Sequence, residues 1–248
     1  MKTILITGAS SGIGWATALK LSERGHNLIL CGRREERLKT LQNELKIPTY
    51  SLCFDVRDKT AVQASIASLP PIFQQVDVLI NNAGNAHGLD YSQDANLDDW
   101  DAMIDGNVKG LLYVTKAILP QMIARNAGQI INVGSIAGKE AYPKGNVYCA
   151  SKAAVDTFTQ GLRLDTNPYG LRIGAIHPGL VETEFSEVRF KGDSQRAKNV
   201  YQPLNALQAS DVADCIDFMI AAPAHVTLAD ITLLPTDQAS AYVANRKQ

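Results

Sequence analysis

Short apolar segments alternate with longer amphipathic segments along the whole chain. Seven apolar segments predict β-strands, at residues 3–7, 27–31, 49–54, 76–81, 128–133, 171–177 and 227–234. Several of them are continuous in Ile, Leu and Val, which is typical of strands that are covered on both faces. The segments between them predict helices at about 13–24, 34–45, 58–68, 98–125, 147–166 and 209–221. This alternation predicts an α/β fold with a doubly wound parallel sheet of about seven strands flanked by helices.

Length and composition limit the classes of protein to which the chain can belong. Its 248 residues are 46% hydrophobic and 20% charged, which is typical of a globular protein and excludes intrinsic disorder. Because no repeat or Pro/Gly-rich linker divides the sequence, we expect a single domain over residues 1–248. The formal net charge of -1 gives no basic excess for binding nucleic acid. The mean hydropathy of -0.08, without a long apolar run, predicts no membrane span.

The cysteines and the N-terminal residues bear on where the protein works. The four cysteines lack C-x-x-C spacing, so neither a zinc site nor a disulfide framework is expected, and we predict no metal ion. The N-terminal residues lack the longer apolar stretch and the small-residue cleavage site of a signal peptide. A reduced, cytoplasmic chain is the simplest interpretation.

Two long segments follow predicted strands, at residues 82–97 and 180–206. Both leave the carboxyl ends of strands, which is where open α/β sheets bind their ligands. Long loops at that edge are more often functional lids than structural accidents. We therefore expect residues 180–206 to form a lid over a substrate.

A glycine-rich loop joins the first predicted strand to the first predicted helix. It comprises Gly8, Ala9, Ser10, Ser11, Gly12, Ile13 and Gly14. Glycine lets the backbone turn tightly and approach a pyrophosphate, and the helix N-terminus offers N–H groups and a partial positive charge. The loop predicts a Rossmann-type dinucleotide site. Its G-x-x-x-G-x-G spacing differs from G-x-G-x-x-G, and a plain strand–turn–helix junction is the alternative.

The end of the second predicted strand bears on the choice of cofactor. An NAD site usually has an acidic residue here for the ribose 2′-hydroxyl, whereas this chain has Arg33 and Arg34. Guanidinium groups match a 2′-phosphate, so we predict that the cofactor is NADP. The alternative is a solvated basic helix start in which the next two glutamates are the counterions. Asp55 and Val56 are expected near the adenine, but Asp55 could instead cap the following helix.

Three side chains predict acid–base chemistry at the same edge of the sheet. Tyr148 and Lys152 are four residues apart on a predicted helix and therefore share one face. A phenol is a poor base at neutral pH, but a neighbouring ammonium favours the phenolate and lowers its pKa. Such a tyrosine can give a proton to a carbonyl oxygen or take one from an alcohol. Ser135 follows the fifth predicted strand, where its hydroxyl can hydrogen-bond the reacting oxygen.

Together these motifs resemble the short-chain dehydrogenase/reductase family over almost the whole chain. The residues that carry the resemblance are 7–14, Asn81, Asn82, Ala83, Gly84, Asn107, Ser135, Tyr148, Lys152, Pro178 and Gly179. The resemblance implies that Tyr148 is the general acid and base and that Ser135 orients the substrate oxygen. It implies that Lys152 lowers the tyrosine pKa and binds the nicotinamide ribose, and that Asn107 holds a water in a proton relay. Hydride would move directly between the nicotinamide and the substrate carbon, without a metal.

The resemblance also implies the remaining cofactor contacts and the assembly. The residues implied to line the cofactor or its nicotinamide are Asn82, Ala83, Gly84, Pro178, Gly179, Leu180, Val181 and Thr183. In this family, the helices that correspond to 98–125 and 147–166 commonly form a four-helix dimer interface.

One subgroup of the family resembles the chain more closely. Residues 179–193 look like its substrate loop, and residues 32–38, 145–148 and 223–226 also look like it. The subgroup comprises NADP-dependent 3-hydroxy acid dehydrogenases, which oxidise L-allo-threonine and L-serine and reduce malonic semialdehyde. The resemblance therefore implies an NADP-dependent oxidoreductase of small 3-hydroxy acids, 3-hydroxypropionate included, that forms a homotetramer.

A 3-hydroxy acid carries a carboxylate near the reacting alcohol, and a cation is expected to hold it. We predict Arg189 for this role, with Lys191 as the other candidate on the expected lid. The alternative is that both cations pair with acidic neighbours on a solvated lid, namely Glu184, Glu187 or Asp193.

Two other functions are compatible with these residues. One is a broad-specificity NADPH-dependent carbonyl reductase of aldehydes or diketones with the same four catalytic residues. The other is a regulator that binds NADP(H) without turnover, although a binding module does not require a tuned phenol. In each case the partner is a small molecule rather than nucleic acid or a membrane.

Overall fold

The structure of this chain is a computed structural model, which describes residues 1–246. Within these residues the strands are β1 (Thr3–Thr7), β2 (Asn27–Gly32), β3 (Thr49–Cys53), β4 (Val78–Asn81), β5 (Gln129–Val133), β6 (Arg172–Pro178), β7 (Val181–Glu182), β8 (Leu207–Gln208) and β9 (Asp230–Leu233). Seven of these described strands form one parallel sheet in the order β3–β2–β1–β4–β5–β6–β9, and β7 pairs with β8. The predicted Rossmann-type sheet is confirmed. The largest difference in a strand boundary is at the last strand, predicted from residue 227 and observed from Asp230.

Helices pack on both faces of this sheet. Those described are α1 (Gly12–Glu23), α2 (Glu35–Glu44), α3 (Lys59–Ala67), α4 (Leu97–Ile104), α5 (Gly110–Arg125), α6 (Asn146–Thr166), α7 (Phe185–Arg189), α8 (Ser194–Tyr201) and α9 (Ala209–Ala221). Apart from the predicted helix 98–125, the predicted helices agree with observed ones to within one residue at each end. None of the helices in the described part of the chain has the length and apolar character needed to cross a membrane.

The central strands are covered on both faces, as their continuous apolar sequences predict. In β1, Ile4 and Ile6 share one buried cluster with Leu21 of α1, whereas Leu5 shares the other cluster with Ile118 of α5. All five side chains are fully buried. Burying a side chain of this size contributes roughly 1.5–3 kcal/mol, so the two clusters hold the strands firmly in place. The carboxyl ends of the strands are therefore rigid supports for a site.

The strand order creates a crevice at the carboxyl edge of the sheet. After β3 the chain returns past β2 and β1 to form β4, so that β1 and β4 are neighbours with Ile6 opposite Ile80. The helix that follows β1 packs on one face, and α5, which follows β4, packs on the other. Such a reversal of strand order is where open α/β sheets bind ligands.

The predicted helix 98–125 is interrupted in its first half. Residues Asp105–Lys109 form a π-helical turn between α4 and α5. The chain passes close to Val56 here, because a Cβ at Gly110 would lie 2.6 Å from Cγ2 of Val56. π-helical turns inside α-helices are frequent at functional sites. This one contains Asn107.

Asp58, rather than Asp55, caps α3. Its carboxylate accepts the N–H groups of Thr60 at 2.9 Å and Ala61 at 3.0 Å. These bonds satisfy donors that the start of a helix would otherwise leave unpaired. The capping alternative for Asp55 is therefore wrong, and the carboxylate of Asp55 instead pairs with Arg57 at 2.7 Å.

Candidate active site

A groove of about 490 Å³ lies at the crevice between β1 and β4. The predicted cofactor residues that line it are Gly8, Ser10, Ser11, Gly12, Ile13, Arg33, Arg34, Asp55, Val56, Asn82, Ala83, Gly84, Tyr148, Lys152, Pro178, Gly179, Val181 and Thr183. Ser135 lines the groove as well. Residues that the sequence analysis identified in separate segments therefore meet in one place.

The glycine-rich loop turns tightly between β1 and α1 and lines the groove. Gly8 and Gly12 have φ angles of +67° and +52°, which residues with a Cβ rarely adopt. A Cβ at Gly14 would lie 2.6 Å from Nδ2 of Asn82. The same amide nitrogen donates to the carbonyl of Thr7 at 2.9 Å and so joins the loop to the end of β4. This cradle, bounded by backbone, fits the close approach of a dinucleotide pyrophosphate.

Three residues predicted to contact the cofactor lie behind the lining of the groove. Ala9 is fully buried, and its N–H donates to the carbonyl of Cys31 at 3.0 Å. Gly14 is buried in the first turn of α1, beneath the loop. The N–H of Leu180 donates to Oε1 of Gln238 at 2.8 Å. These three residues support the lining of the groove, and the cofactor contacts predicted for them stay predictions.

Arginines form the part of the groove next to the end of β2. Arg34 donates from Nε to the hydroxyl of Ser10 at 3.2 Å and from Nη2 to the Ser10 carbonyl at 3.3 Å, which holds it against the glycine-rich loop. Nη1 of Arg33 lies 3.7 Å from the carboxylate of Asp55. Guanidinium groups so placed can bind a phosphate at the ribose end of a dinucleotide.

The counterions of these arginines are not the neighbouring glutamates. Glu35 and Glu36 both pair with Lys39 along α2, at 2.9 Å and 3.7 Å. Arg34 pairs instead with Glu184 of segment 180–206, at 2.8 Å. The alternative interpretation of a basic helix start neutralised by its own glutamates is therefore wrong.

Ser135 lies between β5 and a short 3₁₀ turn and caps that turn. Its Oγ accepts the N–H of Ala137 at 3.1 Å and donates to the carbonyl of Pro178 at 3.5 Å. The second distance is long for a hydroxyl donor, so this bond is weak. The Ser135 O–H can therefore turn towards a substrate oxygen at little cost.

Tyr148 lies in the first turn of α6 and lines the groove. It is 9% exposed, and its ring packs against Phe185 with 5.7 Å between ring centroids. Burial raises the pKa of Tyr148 well above its usual range, which outweighs the lowering by the Ser135 hydroxyl and by the charge of Arg189. The sequence predicted a lowered pKa, and the structure corrects that direction. A phenol that keeps its proton at neutral pH is a proton donor.

Lys152 follows one turn later on the same face of α6. It is 6% exposed, and its Nζ donates to the carbonyl of Val133 at 3.0 Å. Burial lowers the pKa of Lys152 to about 8. Because burial disfavours the charged forms of both the phenol and the amine, proximity on one helix face does not by itself lower the pKa of Tyr148.

We expect Lys152→Met to remove a pH dependence of stability. An unfolded lysine has the ordinary pKa of 10.5 and the folded Lys152 a pKa of about 8, so between these pH values the unfolded chain binds more protons. The free energy of unfolding of the wild type should therefore contain a contribution that rises with pH across this window, by roughly 3 kcal/mol in all. Chemical denaturation of the cofactor-free protein at several pH values measures the slope.

The matched control for this experiment is Lys116→Met, at an exposed position of α5. It removes an ammonium group of the same kind from the surface, and we expect its slope to follow that of the wild type. A wild-type slope in Lys152→Met would contradict a lowered pKa for Lys152.

Asn107, in the π-helical turn, forms hydrogen bonds with the backbone of the segment that follows β4. Its Oδ1 accepts the N–H of Asn85 at 2.7 Å, and its Nδ2 donates to the carbonyl of Asn85 at 2.8 Å and to Oγ of Ser151 at 3.0 Å. A Cβ at Gly84 would lie 3.0 Å from Oδ1 of Asn107. The side chain therefore positions the backbone beside the groove, while the water-holding role implied for it stays a prediction.

Arg189 extends from segment 180–206 to the ring of Tyr148. It donates from Nη1 to the hydroxyl of Tyr142 at 3.0 Å and from Nε to the carbonyl of Gly88 at 3.0 Å. Its guanidinium carbon lies 5.7 Å from the centroid of the Tyr148 ring. The cation predicted for substrate binding is thus next to the predicted proton donor.

Lys191 points elsewhere, because its ammonium pairs with Asp99 at 3.0 Å. Asp193 accepts the N–H of Arg196 at 3.0 Å and caps α8. Glu184 pairs with arginines of the groove. The alternative in which the two cations pair with acidic neighbours in their own segment is therefore not what the described contacts show.

A second cluster of charges lies behind Ser135. The Nζ of Lys139 donates to the carboxylate of Asp156 at 2.9 Å and to that of Asp230. His177 is fully buried, with Nε2 3.7 Å and 3.6 Å from the same two carboxylates. Burial lowers the pKa of His177, and the charge of Lys139 acts in the same direction. The positive charge of this cluster is thus the Lys139 ammonium, which ties the segment after Ser135 to α6 and β9.

Several residues that line the groove were not predicted from the sequence. They are Gly32, Phe54, Arg57, Asn85, Gly106, Val133, Gly134, Glu184, Phe185 and Val188. Arg57 could have been found by extending the search for basic residues from the end of β2 to the end of β3. Phe185 and Val188 belong to α7, whose five residues are too few to show a periodic pattern.

Known proteins resemble this chain over nearly its whole length. The family model of the short chain dehydrogenases matches residues 2–194. The NADP-dependent 3-hydroxy acid dehydrogenase YdfG of Salmonella typhi is 44% identical over 239 residues, which cover 96% of either chain. Sulfoacetaldehyde reductase 2 of Chromohalobacter salexigens is 46% identical over 247 residues, which cover 98% of either chain. The closed form of serine dehydrogenase complexed with NADP+ superposes with a TM-score of 0.95 at 42% identity, covering 99% of this chain and 100% of that one.

Proposed function

Because this chain belongs to the short chain dehydrogenase family and is an NADP-dependent oxidoreductase of CH–OH groups, we propose that its substrates are small 3-hydroxy acids. The class includes L-allo-threonine, L-serine and 3-hydroxypropionate, with malonic semialdehyde as a substrate for reduction. The observation that carries the proposal is the guanidinium of Arg189, which lies 5.7 Å from the ring of Tyr148. The 44% identity to a 3-hydroxy acid dehydrogenase supports it.

The residues of the groove hold NADP, which accepts or donates the hydride when it is bound. We assign the pyrophosphate to the loop that contains Gly8 and Gly12, which lines the groove at the N-terminus of α1. Arg33 and Arg34 would hold the 2′-phosphate, and Lys152 would hold the nicotinamide ribose. Asp55 and Val56 would contact the adenine, and the nicotinamide end would be held by Asn82, Ala83, Gly84, Pro178, Gly179, Val181 and Thr183.

Tyr148 carries the proton that accompanies the hydride. In reduction, its O–H donates to the carbonyl oxygen, which becomes the hydroxyl of the product; in oxidation, the phenolate takes that proton back. Ser135 donates a hydrogen bond to the same oxygen and fixes its position. The ammonium of Lys152 stabilises the phenolate, and Asn107 holds a water that connects the site to solvent.

Arg189 supplies the positive charge that a hydroxy acid requires. Its hydrogen bonds to Tyr142 and Gly88 fix the orientation of the guanidinium, so little side-chain entropy is lost when a carboxylate binds. A carboxylate on Arg189 places the neighbouring carbinol carbon beside Tyr148. Residues 180–206, which carry Arg189, act as a lid on a single catalytic domain that spans residues 1–248.

The variant Arg189→Ala tests this substrate class. A hydrogen bond to a charged group contributes roughly 1.5–3 kcal/mol, so the KM for L-serine and L-allo-threonine should rise by about 10- to 100-fold. The KM for a short uncharged aldehyde, reduced with NADPH, should change little. Initial rates followed by the absorbance of the reduced nicotinamide measure both.

The matched control is Lys191→Ala, which removes a cation of the same segment that is paired with Asp99. Its KM for the hydroxy acids should stay within about twofold of the wild type. If Arg189→Ala leaves the KM for hydroxy acids unchanged, the proposal is wrong. A preference of the wild type for uncharged aldehydes or diketones would then favour the broad carbonyl reductase.

A small sulfonate is a second candidate substrate, because a reductase of sulfoacetaldehyde is 46% identical to this chain. A sulfonate presents a single negative charge at a similar distance from the carbonyl, so Arg189 would bind either anion. The ratio of kcat/KM for malonic semialdehyde to that for sulfoacetaldehyde, both with NADPH, decides between them.

We infer a cytoplasmic homotetramer from the resemblance to the family. Helices α5 and α6, which correspond to the predicted segments 98–125 and 147–166, would form the dimer interface. Light scattering measures the mass of the purified protein against the 26.8 kDa of one chain. A monomeric mass at micromolar concentration would contradict the tetramer.

A further inference from the structure

One carboxylate joins the proposed lid to the arginines beside the glycine-rich loop. Glu184 accepts a hydrogen bond from Nη1 of Arg34 at 2.8 Å and another from Nη1 of Arg37. Glu184 immediately precedes α7, whereas Arg34 and Arg37 lie at the start of α2. Arg34 and Glu184 are 150 positions apart in the chain, so this contact joins two distant segments that both line the groove.

Arg34 and Thr183 also contact the glycine-rich loop. Arg34 also donates to the hydroxyl and the carbonyl of Ser10. A Cβ at Gly12 would lie 3.3 Å from Cβ of Thr183, so the residue before Glu184 lies against the loop. Thr183 and Glu184 both line the groove. The lid, the arginines and the glycine-rich loop are therefore connected by direct contacts along the groove.

We propose that Glu184 is a positioning residue that holds the lid closed over the bound cofactor and sets how fast the cofactor leaves. The inference rests on the proposed role of residues 180–206 as a lid. Glu184 and Arg34 both line the groove that would hold the cofactor, so opening of the lid for its departure would separate the two side chains. Loss of the ion pairs removes a restraint on that opening.

The size of the effect follows from the exposure of the three side chains. Arg34, Arg37 and Glu184 are 44%, 50% and 36% exposed, so solvent screens each ion pair. Burial alone would raise the pKa of Glu184, but the two guanidinium groups outweigh it and lower that pKa, which keeps the carboxylate charged. With two arginines on one carboxylate, we expect a change in the release rate of about three- to tenfold.

Stopped-flow fluorescence of bound NADPH and NADH, chased with excess NADP+, measures the release rates. Glu184→Gln removes the charge and keeps the shape, and it should release both reduced cofactors about three- to tenfold faster. The matched control is Glu187→Gln, the same change on α7, which should release both at the wild-type rate. Its release rate reports any general effect of neutralising an acidic residue in this segment.

Two results would overturn the proposal. If Glu184 instead competes with the 2′-phosphate for Arg34 and Arg37, then Glu184→Gln slows the release of NADPH and leaves that of NADH unchanged. If the contact carries no restraint, the release rates of both cofactors equal those of the wild type.

A double-mutant cycle locates the effect in the ion pair. Measured with NADH, which has no 2′-phosphate, Arg37→Ala should accelerate release in the wild type and have little further effect in Glu184→Gln. Independent effects of the two changes would contradict a shared contact. Because release is measured without a hydroxy acid, failure of this inference is distinguishable from failure of the proposed substrate class.

Discussion

The variant Tyr148→Phe is expected to lose at least about 100-fold in kcat while binding NADPH nearly as well as the wild type. Burial raises the pKa of Tyr148, so its hydroxyl holds a proton that can pass to a substrate oxygen. Phenylalanine keeps the ring and its packing against Phe185, at 5.7 Å between centroids, but has no proton to transfer. Initial rates give kcat, and fluorescence titration gives the Kd for NADPH.

The matched control is Tyr50→Phe, which removes the same hydroxyl from a tyrosine near the amino end of β3. The ring of Tyr50 packs against Phe73, also at 5.7 Å between centroids. Its kcat should stay within about twofold of the wild type, because the half-buried Tyr50 does not line the groove. Activity retained in Tyr148→Phe would overturn the acid–base role. A joint loss of kcat and NADPH binding would indicate damaged packing instead.

The sheet could be predicted because strands that are buried on both faces have continuous apolar sequences. Every residue of β1 is buried, and its sequence is apolar between two threonines. The edge strand β9 was predicted less accurately, since its residues alternate between exposed and half-buried. The π-helical turn at Asp105–Lys109 was not predicted. Next to it Gly110 lies close to Val56, a contact with a distant part of the sequence that no local pattern indicates.

The residues of the candidate site could be predicted from the sequence better than their pKa values and their charged partners. Motif spacing brought Tyr148 and Lys152 to one face of a helix, as expected from the helical repeat. The direction of the Tyr148 pKa was wrong, because the burial of both groups depends on the packing of the whole groove. Lys191 was the other candidate for the substrate carboxylate, with pairing inside its own segment as the alternative, yet its ammonium pairs with Asp99. Contacts between distant segments leave no local pattern.

Replacing Arg33 and Arg34 together with alanine is expected to weaken the binding of NADP by at least about 100-fold and that of NAD far less. Each charge-assisted hydrogen bond contributes roughly 1.5–3 kcal/mol, and only NADP carries the 2′-phosphate that would receive these bonds. Arg34 also holds Ser10, so the double variant should lose some affinity for NAD as well. Arg33→Ala alone leaves that contact in place and should weaken NADP selectively. Titration with each cofactor measures the two affinities.

The variant Lys39→Ala and a change of ionic strength are the controls for the comparison of NADP and NAD affinities. Lys39→Ala removes a cation of α2 that pairs with Glu35, and it should leave both affinities within about twofold of the wild type. Raising the ionic strength should weaken NADP binding in the wild type more than in the double variant, because salt screens exposed charges. Equal losses of affinity for NADP and NAD would mean that the two arginines shape the surface and do not bind the 2′-phosphate. The preference for NADP would then have to come from Arg37 or Arg57, the remaining guanidinium groups near this part of the groove.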